Sequence, residues 1–282
     1  MGGDDSLNRP RRRRLLLLAG GIAGVVLMVI VVIAGLWFTR ESPGERSLDD
    51  ALAEFRAGDP TALETIGAVV QRPRPGVYVA EGSGRASIDF PPTSQSYGAT
   101  IPVIVRADGD DCWTTEVDFN EDFRQTWSQC VRDGDVIERS NLTVTRWDLG
   151  VMTVEERADF QCDPPGTIIR TGARPGDESR YRCLGTTANV SGTTTSEVSF
   201  TLVGAESIEI GGVAVPTFHH VEVDTLDGAQ RGTTRIDYWY AVETFLLVRM
   251  ERTVKLRTDS PVGQVTYSET GSWRLRSMEP LR

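Results

Sequence analysis

The residue types that usually carry catalysis are scarce in this chain. It contains two histidines, His219 and His220, and they are adjacent. Adjacent side chains of a β-strand point to opposite faces, so the pair cannot serve one site there. A triad would have to assemble from scattered serines and acids around one histidine, because the HExxH and GxSxG motifs are missing. We therefore predict no catalytic residues and no enzymatic activity, with an unfamiliar hydrolase as the less favoured alternative.

Two further segments carry groups that bind ions in other proteins. Asp108-Gly109-Asp110-Asp111 clusters carboxylates, but it lacks the spaced ligands and the closing glutamate of a calcium loop. Glu81-Gly82-Ser83-Gly84 lacks the lysine and the following helix of a phosphate-binding loop. Both segments are typical of solvated turns. The sequence thus predicts neither a metal site nor a cofactor.

The spacing of the four cysteines favours structure over redox chemistry. Cys112, Cys130, Cys162 and Cys183 form no CxxC pair. An even number of cysteines in an oxidising compartment predicts two disulfides, although the count alone leaves their connectivity open.

Side-chain alternation favours one connectivity. A hairpin turn at Asn120-Glu121-Asp122 pairs Cys112 with Cys130, Thr115 with Trp127 and Phe119 with Phe123. The apolar side chains then share one face, and a slip of one residue would scramble that division. These side chains are Trp113, Val117, Phe119, Phe123 and Trp127. Cys162 and Cys183 remain as the second pair, which closes a loop containing Asp163-Pro164-Pro165-Gly166.

A dense aromatic run at Tyr238-Trp239-Tyr240 is the candidate for ligand binding. On a strand the two tyrosines face one way and the tryptophan the other. Core packing is the default interpretation, and the lining of a pocket for an apolar ligand is the sharper one.

The first element that positions these residues is a membrane anchor. Residues 15–38 contain 24 positions without a charged side chain, and about 20 helical residues span a bilayer. Four consecutive arginines, residues 11–14, precede the run, so the arginine excess predicts a cytoplasmic basic tail at residues 1–14. A cleaved signal peptide, which has a shorter apolar core, is the alternative. We expect a single-pass plasma-membrane protein whose C-terminal domain is extracytoplasmic.

Residues 39–75 are predicted to form a linker and a short helical segment. Ser47 suits the N-cap of a helix that Gly58 ends, and Asp59-Pro60 suits the start of a second helix that reaches Val70.

Residues 76–282 are predicted to form an extracytoplasmic antiparallel β domain. Apolar and polar side chains alternate from Leu246 to Arg257, which is typical of strands with one buried face. Arg252 is the exception on the apolar side, and it marks a bulge, a cavity or an edge. The fold class is mainly β, as one large sheet or a curved half-barrel, with a two-sheet sandwich as the alternative.

The charge distribution excludes one class of partner. The net charge is −10, and residues 1–38 carry five arginines and two aspartates, or +3, so the remainder carries −10 − 3 = −13. An acidic outer domain repels phosphate backbones, so nucleic acid is not expected as a partner.

The C-terminal third resembles a known superfamily. It contains Asp237-x-Trp239-Tyr240-x-x-x-Thr244-Phe245-Leu246-Leu247-Val248-Arg249, followed by Tyr267-x-Glu269-x-Gly271-x-Trp273-x-Leu275. Both segments are similar to the strand-turn-strand ending of the LolA-like and LppX/LprG-like lipoprotein carriers, and of actinobacterial exported proteins of unknown function. The resemblance implies an N-terminal helix before a curved antiparallel half-barrel whose concave face can hold acyl chains.

These patterns together predict a membrane-anchored protein of the cell envelope. Its partners are expected to be the lipid bilayer, through residues 15–38, and either an apolar, lipid-like ligand or another envelope protein. A structural or accessory subunit of a membrane complex is the alternative function.

Overall fold

A computed structural model describes residues 42–58, 72–150, 152–260 and 263–282. The predicted basic tail, the predicted transmembrane helix at 15–38 and the predicted second helix at 59–70 lie outside the described residues. Within the described ranges, no helix has the length and apolar character needed to cross a membrane.

Helix α1 spans Leu48–Gly58, as its sequence pattern predicts. The Ala51 amide donates to the Ser47 carbonyl over 3.1 Å, and acidic side chains occupy the first turn, where they suit the helix dipole. Ala51 and Phe55 are buried against Val77 and Ile104. The helix therefore covers a small apolar patch formed by two neighbouring strands.

The rest of the described chain is antiparallel strand. The strands are β1 (Gly76–Asp89), β2 (Pro92–Ser96), β3 (Thr100–Ala107), β4 (Cys112–Asn120), β5 (Phe123–Arg132), β6 (Asp135–Asp148), β7 (Thr153–Ile169), β8 (Glu178–Thr187), β9 (Thr194–Ile210), β10 (Val213–Gly228), β11 (Gln230–Ala241), β12 (Leu247–Ser260) and β13 (Gly263–Leu275).

The sheet closes on itself. From β3 to β13 each strand pairs with the next one in sequence, β3 also pairs with β1, and β1 pairs with β13. The closing register runs from Ala80 opposite Leu275 to Ile88 opposite Tyr267. β2 pairs with the second half of β1 beside this seam. The predicted mainly β fold and large antiparallel sheet are confirmed, and the seam makes the sheet a closed barrel of twelve strands rather than an open half-barrel or a sandwich.

Side chains that point into the barrel form two distinct regions. We call the first the packed half. Its large side chains are buried and belong to one apolar cluster. Members include Tyr78, Trp113, Val117, Met250, Trp273 and Leu275. We call the second region the cavity half, because a cavity lined by polar and apolar side chains lies there.

Two glycines make room for the Tyr97 ring, and a third makes room for Trp273. A Cβ on Gly271 would lie 2.3 Å from the Tyr97 ring, and one on Gly84 would lie 2.6 Å from the same ring. A Cβ on Gly82 would lie 2.8 Å from Trp273. The turn predicted at Glu81-Gly82-Ser83-Gly84 is therefore wrong. These residues lie inside β1, where their glycines make room for aromatic neighbours.

The predicted hairpin register is confirmed over most of its length. Cys112 lies opposite Cys130 and Thr115 opposite Trp127, but a bulge after Asp118 places Asn120 rather than Phe119 opposite Phe123. The Phe119 and Phe123 rings still lie 4.6 Å apart, between centroids.

Both predicted disulfides are present. Cys112–Cys130 joins β4 to β5, and Cys162–Cys183 joins β7 to β8. The second disulfide packs in an apolar cluster with Phe160, Val198 and Leu226, among others. The loop predicted at residues 163–166 lies within β7, at a register shift of that strand against β6.

Candidate functional site

The cavity half contains a cavity of about 110 Å³. Inward side chains of β5, β6, β7 and β9 to β13 line it. The apolar part of the lining includes Trp127, Phe160, Leu226, Ile236, Val254 and Leu256. The uncharged polar part includes Gln125, Asn141, Thr143, Thr145, Ser196, Gln230 and Thr234. The cavity is therefore amphipathic, and its size suits a group of water molecules or one small ligand.

A buried ion pair forms one side of this cavity. Arg252 Nη2 lies 3.2 Å from Glu269 Oε2, and both side chains are almost fully buried. Glu269 also accepts hydrogen bonds from the hydroxyls of Tyr97 and Tyr267, the latter over 2.6 Å. Arg252 Nη1 donates to Gln125 Oε1. Arg252, the exception on the apolar face of β12, thus marks a cavity, which is one of the three interpretations that the sequence offers. Glu269 compensates the charge of Arg252.

Three other carboxyl groups line the cavity without such a cation. Glu156 accepts a hydrogen bond from Gln230 Nε2 over 3.2 Å, and Asp224 accepts one from the Ser196 hydroxyl. For the Glu222 carboxyl, no hydrogen-bond partner occurs in the part of the chain that the structure describes. Glu222 is nevertheless only 9% exposed.

Burial dominates the protonation of these acids. It raises the pKa of Asp224 to about 6, against the opposing effect of the Ser196 hydrogen bond. Burial also raises the pKa of Glu156. The pKa of Glu222 lies well above its ordinary value because of burial and then because of repulsion by Glu138 and Asp224, which Arg252 partly offsets. The low-dielectric site therefore disfavours several negative charges at once.

Glu138 adds to this acidic excess. It is buried, burial raises its pKa to about 7, and the Asn141 amide donates to it over 3.3 Å. The single buried arginine or lysine among the described residues is Arg252. Burial lowers the pKa of His220 to about 4, so at pH 7 this histidine supplies no positive charge. The interior thus has more acids than it has cations to balance them.

The predicted aromatic trio is split between the two faces of β11. Tyr238 and Tyr240 are buried in the core, with their ring centroids 5.8 Å apart. Trp239 points the other way, stacked on His219 at 4.3 Å and under the Arg249 guanidinium at 4.3 Å. None of the three lines the cavity described above.

The two histidines face opposite sides of β10, as predicted. His219 Nε2 lies 2.9 Å from Asp237 Oδ1, and its Nδ1 lies 3.5 Å from Glu206 Oε1. The His220 ring lies in the interior with its centroid 5.0 Å from that of Phe200, and the two rings are tilted by 30°. Among the described residues, no serine or threonine hydroxyl lies within hydrogen-bond distance of either ring. The hydrolase alternative, like the absence of enzymatic activity, stays a prediction.

Sequence reasoning missed the acidic lining of β10. In the segment Val221-Glu222-Val223-Asp224, alternation alone would bury the valines and expose the acids. The structure reverses this order, and Val223 is 41% exposed. The signal that could have revealed it lies on other strands, where Arg252 and Glu269 also occupy apolar faces.

No cluster of three or more histidine, cysteine or acidic side chains in the described part of the chain could hold a metal ion. The turn at residues 108–111 connects β3 to β4. Arg72 donates hydrogen bonds to two carbonyl groups of this turn, those of Gly109 and Asp110.

Comparisons with known proteins give little further guidance. No family model matches the chain, and no curated protein matches it. Among solved structures, the hypothetical lipoprotein YmcC from Escherichia coli K12 is similar at 11% sequence identity, with 81% of this chain and 97% of that chain covered and a TM-score of 0.32. A similarity of this degree supports no inference about function. The resemblance to lipoprotein carriers, and an actinobacterial origin, stay predictions.

Proposed function

We propose that this chain is a non-enzymatic binding protein of the cell envelope that holds a small amphipathic ligand inside its barrel. The observation that carries the proposal is the cavity of about 110 Å³, whose lining combines apolar side chains with carboxyl groups that have no ion-pair partner among the described residues. Binding cavities combine an apolar surface with a few polar groups that orient the ligand.

The size of the cavity changes the class of ligand that we expect, because the sequence predicts a lipid-like one. A dry cavity of about 150 Å³ holds one benzene molecule in a well-studied case. A whole acyl chain therefore exceeds the space beside Leu226, Val254 and Leu256. A compound with a short apolar part and a polar end matches both portions of the lining.

A cavity-filling substitution tests the proposal. Thr234 lies between Asp224 on β10 and Val254 on β12 and lines the cavity, so Thr234→Phe places a ring in the ligand volume. Its matched control is Thr233→Phe, at an exposed neighbouring position on the opposite face of the same strand. The full-length chain is purified in mild detergent and denatured, and the released compounds are identified by mass spectrometry.

We expect a small compound to be released from the wild type and from Thr233→Phe, but not from Thr234→Phe. Equal release from all three proteins would place the ligand elsewhere. No release from any of them, together with no binding of added small amphipathic compounds, would overturn the proposal.

We further propose that residues 15–38 anchor the chain in the plasma membrane and that the barrel lies on the extracytoplasmic side. Two disulfides and no free cysteine among the described residues support an oxidising compartment. Carbonate washing should leave the chain in the membrane pellet, and protease added to spheroplasts should digest the barrel. A chain released by carbonate, or protected from protease until lysis, would contradict this placement. The accessory-subunit alternative stays a prediction.

A further inference from the structure

Glu222 is a buried carboxyl group of the cavity lining that has no ion-pair partner among the described residues. It lies between Phe200 on β9 and Ile236 on β11, two apolar neighbours that cannot satisfy its carboxyl group. It is 9% exposed, lines the cavity and has no hydrogen-bond partner among the described residues. Burying such a group without a partner is costly, so an occupant that supplies donors would stabilise it.

The charged groups around Glu222 do not supply that compensation. Glu138 on β6, Glu156 on β7 and Asp224 on β10 are all acidic. Arg252 on β12 lies two strands away across Ile236, where Glu269 and Gln125 already engage its guanidinium. The phenol groups of Tyr181 on β8 and of Tyr238 and Tyr240 on β11 also lie near Glu222, but tyrosine is uncharged at pH 7 and burial raises the pKa of all three further.

Other side chains of the lining are suited to hydrocarbon. Leu226, Val254 and Leu256 contribute aliphatic side chains, and Trp127 and Phe160 contribute aromatic rings. Aromatic faces also attract organic cations. The lining thus combines acids that favour a positive charge with several N–H donors and side chains that favour a short apolar group.

We infer that the cavity binds a small organic cation, a primary ammonium group on a short apolar chain, whose N–H groups donate to Glu222 and Asp224. This inference rests on the proposed binding function and specifies the chemical class of its ligand. The ammonium would give Glu222 the donor that the chain lacks, while Ser196 continues to donate to Asp224.

Proton release is a second consequence of this assignment. The pKa of Asp224 is about 6 and that of Glu222 is raised further from its ordinary value, so part of this acidic pair is protonated near neutral pH. A bound ammonium favours the ionised carboxylates and displaces protons. The affinity for the cation should therefore increase from pH 5 to pH 8.

Calorimetry with two matched probes tests the inference on the detergent-solubilised full-length chain. The probes are n-butylammonium and n-butanol, which share the alkyl chain and differ in charge. We expect n-butylammonium to bind at least about tenfold more tightly than n-butanol at pH 7.5, a difference of about 1.4 kcal/mol. Its heat of binding should also change with the ionisation enthalpy of the buffer, because protons are released.

Glu222→Gln keeps the shape of the side chain and removes its charge. This variant should lose about tenfold or more in affinity for n-butylammonium and bind n-butanol within about twofold of the wild type. Glu209→Gln is the control, because Glu209 is exposed near the end of β9 and its substitution also removes one negative charge. Asp224→Asn provides a second test at the same site should Glu222→Gln fold poorly.

The outcomes separate this inference from the proposed function. Equal binding of n-butylammonium and n-butanol, or a neutral compound released from the purified chain, would overturn the cation assignment and leave the binding function standing. Binding of neither probe, with no compound released from the chain, would remove both. Tighter binding of the cation that Glu222→Gln and Asp224→Asn leave unchanged would also overturn the assignment.

Discussion

The two halves of the barrel interior are built by the same strands with different side chains. On β12, Met250 is fully buried in the packed half, while Val254 and Leu256 line the cavity only a few residues further along. Large rings and aliphatic chains fill the packed half. Short polar side chains such as Thr234 and Ser196 leave space in the cavity half.

This contrast shows how a closed sheet can separate stability from binding. The packed half buries apolar surface, which is the dominant source of folding free energy. The cavity half keeps buried acids whose desolvation opposes folding. The Arg252–Glu269 pair joins the two regions, because its partners Tyr97 and Gln125 belong to the packed and the cavity halves respectively. Three experiments test the contrast.

The largest effect is expected from breaking the ion pair at the boundary. Arg252→Met leaves Glu269 buried with two phenol donors and no cation, which should lower the free energy of unfolding by about 3–5 kcal/mol. Urea unfolding followed by tryptophan fluorescence measures this loss. Arg252→Met/Glu269→Gln removes both charges and should recover most of it. A loss below about 1 kcal/mol for the single variant would show that the pair is not the link between the halves.

A matched pair of leucine-to-alanine substitutions should show which half contributes more to the free energy of unfolding. Leu275 is 1% exposed in the packed half, and Leu226 lines the cavity. Leu275→Ala should cost about 3–5 kcal/mol, because it opens a void in a close-packed region. Leu226→Ala should cost about 2 kcal/mol, because its neighbours already face open space. Chemical denaturation measures both, and equal losses would contradict a packed half distinct from a cavity half.

The smallest effect is a change in the pH dependence of stability. Burial raises the pKa of Asp224 to about 6, so the folded state favours the protonated form. The resulting stability is complete below the unfolded pKa of about 4 and is lost as the pH rises through about 6. Asp224→Asn removes this loss, so relative to the wild type it should gain about 1–3 kcal/mol between pH 4 and pH 8.

The contribution of His220 to the pH dependence of stability has the opposite sign to that of Asp224, and it provides an internal reference for the measurement. Burial lowers its pKa to about 4, so its contribution to stability decreases as the pH falls from about 6.5 towards 4. Wild type and Asp224→Asn share this contribution, and it cancels in their difference. A difference between the two proteins that is independent of pH would show that Asp224 is not buried as an acid.

Local alternation in the sequence predicts much of the sheet. The pairing of Cys112 with Cys130 follows from the apolar face of one hairpin, and the helix at Leu48–Gly58 follows from its cap and spacing. The prediction fails at Phe119, where the bulge depends on a distant strand. There the Asn120 amide donates to Gln95 Oε1 and to the Ser96 carbonyl of β2, a contact that the hairpin sequence does not encode.

The cavity could not be predicted because its lining comes from eight strands and its space depends on what faces each residue across the barrel. Gly82 and Gly84 look like turn residues until the Trp273 and Tyr97 rings are placed against them. Glu222 and Asp224 look like a solvated face beside two valines. The unusual position of Arg252 among apolar residues was the one local sign of a polar interior.

The seam between β1 and β13 also dictates when the fold can be completed. Ala80 meets Leu275 across almost the full length of the domain, so their pairing closes a very long loop unless the intervening hairpins first bring the two strands together. Contacts this distant along the chain slow folding, and an unpaired strand edge can recruit other chains until it is covered. A polypeptide that crosses a membrane before it folds would therefore expose two unpaired strand edges during transit. Assistance at this stage would determine the yield of folded protein more than the stability of the finished barrel does.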